Sequence, residues 1–172
     1  MKLRRKDANP KIAELKQLRI FSGLGAQQLT VLAQNLDEVT LPAGEKVMKD
    51  GRFNDTFWII LDGEAILTVG GGVNETLGRG DILGLPSMFS GLESTADVVA
   101  GTPLRALVAS HQQFNSLVSD PEVEIRFKAA LFDRLRDEVY QLTRGVAKSR
   151  ATPAPKSPAA TPTKKPVGPV KR

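Results

Sequence analysis

Few residues in this chain could do covalent chemistry. The run Gly78-Arg79-Gly80-Asp81-Ile82-Leu83-Gly84 has the glycine density of a phosphate loop. It lacks the spacing and the strand–helix–strand setting of a dinucleotide fingerprint. Gly70-Gly71-Gly72 reads as a flexible hairpin loop. His111 is the one histidine, expected in the first turn of a helix, and a general base needs partners that this sequence does not present beside it. Cysteine is absent, which excludes disulfides, thiolate catalysis and Cys-ligated metals. With no nucleophile–base pair and no metal-ligand cluster, no catalytic residue and no metal site is expected, and the chain does not read as an enzyme. Trp58 lies in the apolar run Phe57–Leu61, where a core position accounts for it, with ligand stacking as the alternative. The remaining chemistry is that of binding.

Charge is divided along the chain. The last 26 residues, 147–172, carry seven basic side chains and no acidic one. Taking them from the net charge of +5 leaves residues 1–146 at −2. Setting aside Lys2, Arg4, Arg5 and Lys6 leaves 7–146 at −6. The basic isoelectric point therefore describes the ends and not the body. Within the tail, Lys156, Lys164, Lys165, Lys171 and Arg172 are candidates for contact with a polyanion, an attraction driven by counterion release and blind to sequence. Thr152, Ser157, Thr161 and Thr163 are candidate modification sites whose phosphates would cancel part of that charge. Six prolines and no aromatic residue among abundant Ala, Thr and Lys predict a disordered tail, too poor in apolar surface to offset its ordering entropy. No apolar run suits a signal peptide or a transmembrane helix, so a cytoplasmic location is expected.

The elements that must position any site follow from periodicity and punctuation. Asn9-Pro10 opens a helix as N-cap and first-turn proline, with Ile12, Leu15 and Leu18 at helical spacing. A short helix over 26–33 turns Leu29 and Leu32 inward. From Leu36 the pattern becomes short strands: 36–41, 46–48, 56–61, 65–69, 74–77, 96–101 and 104–108. Turn signals at Pro42-Ala43-Gly44, Asp50-Gly51, Asp62-Gly63, Gly70–Gly72 and Gly78–Asp81 separate them, which suggests a sandwich or barrel. Ser110 caps a helix holding Phe114 and Leu117. Asp120-Pro121 starts a long helix to about Val146, with an apolar stripe of Phe127, Leu131, Leu135, Val139, Leu142 and Val146. The expected organisation is a basic arm over 1–9, a mainly β domain with flanking helices over 10–146, and the tail.

Helices, a β region interrupted by a helical turn, and a long closing helix resemble the cyclic-nucleotide-binding domain of the catabolite-activator (Crp/Fnr) superfamily, a β-roll or jelly-roll barrel. Leu18–Leu24 looks like the exit of that family's first helix. Gly51, followed by Phe57–Ala65, is similar to its glycine, apolar strand and hairpin. Leu77–Gly84 looks like the run entering the phosphate-binding cassette, and Thr95–Ala100 resembles its exit. The resemblance covers roughly residues 10–145.

That resemblance assigns the ligand cassette to Gly84, Leu85, Pro86, Ser87, Ser94, Thr95 and Ala96. It also implies two charged residues there. A glutamate directly after the glycine binds the ribose hydroxyl, and an arginine just before the Thr-Ala pair neutralises the cyclic phosphate. Here these positions read Leu85 and Ser94, and Glu93 adds a negative charge beside the phosphate position. An Arg–phosphate pair is bidentate and charge-assisted. Losing one partner of such a pair costs about 2–5 kcal/mol, roughly 30- to 4,000-fold in affinity. Pro86 also removes one backbone donor from the cassette helix.

The expected function is a stand-alone regulatory or sensor module, degenerate for ordinary cAMP and cGMP, acting through protein partners or another ligand. No cofactor is expected beyond a weakly held cyclic nucleotide. One alternative is a dimeric scaffold whose tail binds nucleic acid, an anionic membrane or an acidic partner. Another is a true cyclic-nucleotide sensor in which the hydroxyls of Ser87, Ser94 and Thr95 replace the missing charges. In the family the long helix forms a dimer interface, which here would use Leu131, Leu135, Val139 and Leu142. Sequence-specific DNA binding is not expected, because 147–172 contains no recognition helix.

Overall fold

The computed structural model of the chain describes residues 9–70 and 72–150. The basic arm through Ala8 and the tail from Ala151 lie outside them, and with them the five tail cations and the four candidate modification sites. The described residues fall into two units that divide between Arg136 and Asp137.

The first unit begins with two helices, α1 (Pro10–Gln17) and α2 (Ala26–Asn35), joined through a 3-10 turn at Arg19–Phe21. Asn9 caps α1 as predicted, its side-chain oxygen accepting from the Lys11 amide at 3.1 Å. Lys11 in turn closes the far end of α2, donating from Nζ to the carbonyls of Ala33 (3.0 Å) and Leu36 (2.5 Å). The α2 helix runs two residues past the predicted end, so Leu36 sits fully buried at its C-cap and not in a strand.

Among the described residues, eight strands follow in two antiparallel sheets. They are β1 (Asp37–Leu41), β2 (Lys46–Met48), β3 (Thr56–Asp62), β4 (Ala65–Val69), β5 (Val73–Leu77), β6 (Ile82–Leu83), β7 (Ala96–Ala100) and β8 (Leu104–Ser110). One sheet has the order β1-β8-β3-β6 and the other β2-β7-β4-β5. The chain crosses from one sheet to the other repeatedly, which gives the expected mainly β roll with flanking helices. The strand β6 was not predicted from sequence. Its two residues pair with Trp58 and Ile59, too short a span to show a period.

The uninterrupted apolar run of β3 has a simple cause: both of its faces are buried. Phe57, Ile59 and Leu61 point into a core shared with the helices, among Leu15, Phe21, Leu32, Phe114 and Phe127. Ile60 points the other way, into a second core with Ala65, Leu67, Leu83, Val98 and Leu104, against which Trp58 packs half-buried. Gly63 makes the β3–β4 hairpin possible: its φ is +85° and a Cβ there would lie 2.2 Å from the Pro103 carbonyl oxygen.

Between β6 and β7 lies a short helix, α3 (Leu85–Ser90), and after β8 come α4 (His111–Val118) and α5 (Pro121–Arg150). The predicted caps hold. Ser110 and Gln113 form a reciprocal capping box on α4, and the Asp120 carboxylate accepts from the amides of Glu122 (2.9 Å) and Val123 (3.3 Å). His111 is the exposed first residue of α4. The α5 helix continues four residues past Val146.

Candidate functional site

The cassette is the connection from Gly84 to Ala96, and its geometry begins with a glycine that nothing else could replace. Gly84 has φ +87°, and a Cβ on it would lie 2.6 Å from both the Thr56 carbonyl oxygen and Asn54 Nδ2. Its neighbour Asn54 donates to that carbonyl at 2.6 Å and accepts from the Thr56 hydroxyl at 3.2 Å. The indole Nε1–H of Trp58 donates to the same hydroxyl at 3.1 Å. Trp58 thus has its polar atom satisfied within β3 and its ring against the second core, which favours a packing role.

From Gly84 the chain makes one and a half turns of helix, with Met88 N–H bonded to the Gly84 carbonyl and Gly91 N–H to that of Ser87. Leu85, Ser87 and Met88 are buried, whereas Pro86 is exposed. Leu85 and Met88 belong to the core shared with the helices, alongside Phe57, Phe114 and Phe127. Phe89 adds an edge-on contact to Phe114 at 5.1 Å. Leu85, which the resemblance set at the ribose-binding glutamate position, is therefore an internal packing residue.

Ser94, which the resemblance set at the arginine position, is 5% exposed. Its hydroxyl donates to the Ala96 carbonyl at 3.0 Å and accepts from the Ala96 amide at 3.3 Å. Its backbone is held as well: Ser94 N–H donates to the Arg52 carbonyl, and Gly51 N–H donates to the Ser94 carbonyl, both at 2.9 Å. A third tie runs from Asp50 N–H to the Asp97 carboxylate at 3.2 Å. The β2–β3 loop and the cassette exit are fastened together, and Ser94 is spent on that local turn. Of the other candidates, Thr95 and Glu93 are exposed and Ala96 is buried. Sequence order brings Gly84 through Ala96 together, but the structure sends Leu85 to the helical core and closes Ser94 on its own loop. Among the described residues no group of three potential metal ligands occurs.

Residues 38–120 match the family described as cyclic nucleotide-binding domain. That stretch, just under half of the chain, resembles a cyclic nucleotide-binding domain. A cAMP-dependent protein kinase regulatory subunit of Yarrowia lipolytica is 32% identical over 106 residues, which are 60% of this chain and 28% of that protein. The chain thus spans little more than a quarter of that relative's length. The catabolite activator protein of Thermus thermophilus superposes with a TM-score of 0.63 at 24% identity, over 72% of this chain and 61% of that one. The regulatory subunit of a cAMP-independent protein kinase A from Trypanosoma brucei gives 0.64 at 20% identity, over 75% and 48%. Both structures show the shared roll of this domain.

The long helix α5 needed the structure for its faces to be told apart. Sequence spacing placed Phe127, Leu131, Leu135 and Val139 on one stripe. In the fold, Val123 and Phe127 are buried and Leu131 is half-buried against the body. Leu135 and Val139 are instead exposed, at 41% and 60%. They accompany Ile125, Phe132 and Tyr140, which are also exposed and were not singled out from sequence. The seven-residue spacing of Ile125, Phe132 and Val139 was the available signal. The Leu142 side chain lies outside those described. Phe53 and Leu92 were missed too, because a lone apolar residue in a loop has no period.

Proposed function

We propose that this domain is a regulatory module whose cassette has exchanged cyclic-nucleotide chemistry for a permanently ordered, ligand-free turn, and that it works through protein partners. One observation carries the reading: the two positions that the family uses for charge hold a core leucine and a serine whose hydroxyl is already bonded at Ala96. Binding cAMP or cGMP would require a phosphate partner that neither side chain supplies. Relatives such as the kinase regulatory subunit support a regulatory role.

The test is titration calorimetry of cAMP and cGMP into the full chain, beside Ser94→Arg and Leu85→Glu/Ser94→Arg. No heat from the unmodified chain at ligand concentrations up to about 1 mM (weaker than about 4 kcal/mol of binding) is the expected result. Micromolar binding by the unmodified chain would overturn the reading and make it a nucleotide sensor built on hydroxyls and backbone amides. Ser94→Arg is tested alone because a glutamate at the buried Leu85 position threatens folding.

A second copy of the chain is the partner that α5 favours. Ile125, Phe132, Leu135 and Val139 present exposed apolar side chains at heptad-like spacing, and unpartnered apolar surface of this kind marks association.

A further inference from the structure

Beside the cassette lies an apolar surface that the two-loop clamp holds in place. Phe53, from the β2–β3 loop, is 75% exposed, and Leu92, from the cassette exit, is 68% exposed. With Gly91 and Glu93 they line an open depression of about 430 Å³. Isolated exposed apolar residues are ordinary, but two large ones lining the same depression call for a partner. The two loops are not independent: Ser94 N–H bonds to the Arg52 carbonyl and Gly51 N–H to the Ser94 carbonyl, one residue from Phe53 and two from Leu92 respectively. An interface built on such anchors loses little ordering entropy on binding, since the loops are fastened beforehand.

The surrounding charge selects the occupant. Glu93 lines the depression itself. Asp50, Asp55 and Asp97 are exposed on the same two segments, against the cations Lys49 and Arg52, so carboxylates are in excess. We propose that this surface is a docking site for a basic segment of a partner protein, which seats one large apolar side chain between Phe53 and Leu92 and places Lys or Arg beside Glu93 and Asp97. Opposite rim charge steers encounter and excludes acidic partners, and the apolar anchor supplies the central desolvated contact. The inference rests on the partner-binding reading above, and gives it a location.

The experiment is selection of a random peptide display library on the immobilised full chain, followed by titration of the selected peptides. Peptides with an aromatic or aliphatic anchor flanked by Lys or Arg are expected. Their affinity should fall at least tenfold with Phe53→Ser and with Leu92→Ser, and severalfold with Glu93→Lys. It should weaken as salt rises from 50 to 500 mM. Recovery of no binder, of acidic peptides, or of peptides indifferent to Phe53 and Leu92 would overturn the docking site. Circular dichroism of each variant separates unfolding from lost contact, and an unfolded Leu92→Ser leaves the solvent-exposed Phe53→Ser and Glu93→Lys as the deciding pair. Failure here is distinct from failure of the functional reading: that reading falls on cyclic-nucleotide binding in calorimetry, whereas the docking site falls on peptide specificity.

Discussion

Arg134 on α5 grips Glu75 on β5 in a paired contact, Nη1 to Oε1 and Nη2 to Oε2, each at 2.7 Å. The two residues are 59 positions apart and tie the closing helix to the edge strand of the β2-β7-β4-β5 sheet. With side chains 23% and 47% exposed, the pair is worth up to about 1 kcal/mol, as for other surface bridges. Glu75→Gln should lower stability by about that amount and raise amide exchange in 127–136 more than in β8. Hydrogen-exchange mass spectrometry checks this, and equal exchange in both segments would show that the bridge does not hold the helix.

Gly84→Ala should destabilise the fold by at least about 2 kcal/mol, from the left-handed backbone together with the 2.6 Å approach to the Thr56 carbonyl. Gly44→Ala serves as the control. It has a similar φ of +87° with nothing within 4 Å of the added methyl, so it should cost about 1–2 kcal/mol for the backbone alone. Urea melts of the two variants separate strain from steric contact, and equal midpoints would remove the argument for close packing at Gly84.

Arg105 bridges Glu14 of α1 at 2.7 Å and Glu38 of β1 at 2.9 Å. The bond to Glu14, then that to Glu38, raises its pKa well above the ordinary guanidinium value. A cation whose folded pKa is raised contributes fully below its unfolded pKa, which for arginine lies far above neutral, and loses that contribution only as pH climbs through the folded value. The stabilisation from protonating Arg105 is therefore constant between pH 6 and pH 9. Arg105→Met should cost about 1 kcal/mol, and this Arg105 contribution should bring no new stability transition between pH 6 and 9. Chemical denaturation at pH 6, 7.5 and 9 checks it, and a loss confined to one end of that range would contradict the assignment.

If a second copy covers α5, Phe132→Asp and Val139→Asp should convert dimer to monomer while leaving the β domain folded. Both side chains are exposed, at 68% and 60%, so the substitutions disturb no core of a monomer. Analytical ultracentrifugation across 1–100 μM reads the outcome. A monomeric unmodified chain, or a dimer indifferent to both changes, would remove α5 as the interface. Phe127→Asp is the contrasting variant, since Phe127 is fully buried and stacked on Phe114 at 5.7 Å, and it should unfold the domain.

The elements of the roll were legible because local chemistry punctuates them. Asn9-Pro10, Ser110 and Asp120 act through bonds to residues two or three positions away, so their roles survive without knowledge of the fold. The strand limits were set by Gly and Pro turns, and the absence of charge at Leu85 and Ser94 is a property of residue type alone. Direction was not legible. The α5 helix has apolar residues on two faces, 123/127/131 and 125/132/139, and periodicity cannot say which meets the core. The answer came from the aromatic cluster of Phe21, Phe57, Phe114 and Phe127, assembled from four separate segments. By itself the sequence determined where elements begin, that Leu85 and Ser94 are uncharged and which class of fold results, since these depend on residue type and on neighbours along the chain. Only the tertiary structure decided that Leu85 faces the core, that the Ser94 backbone clamps Arg52, and that Phe53 and Leu92 line one depression, because those arrangements join segments far apart along the chain.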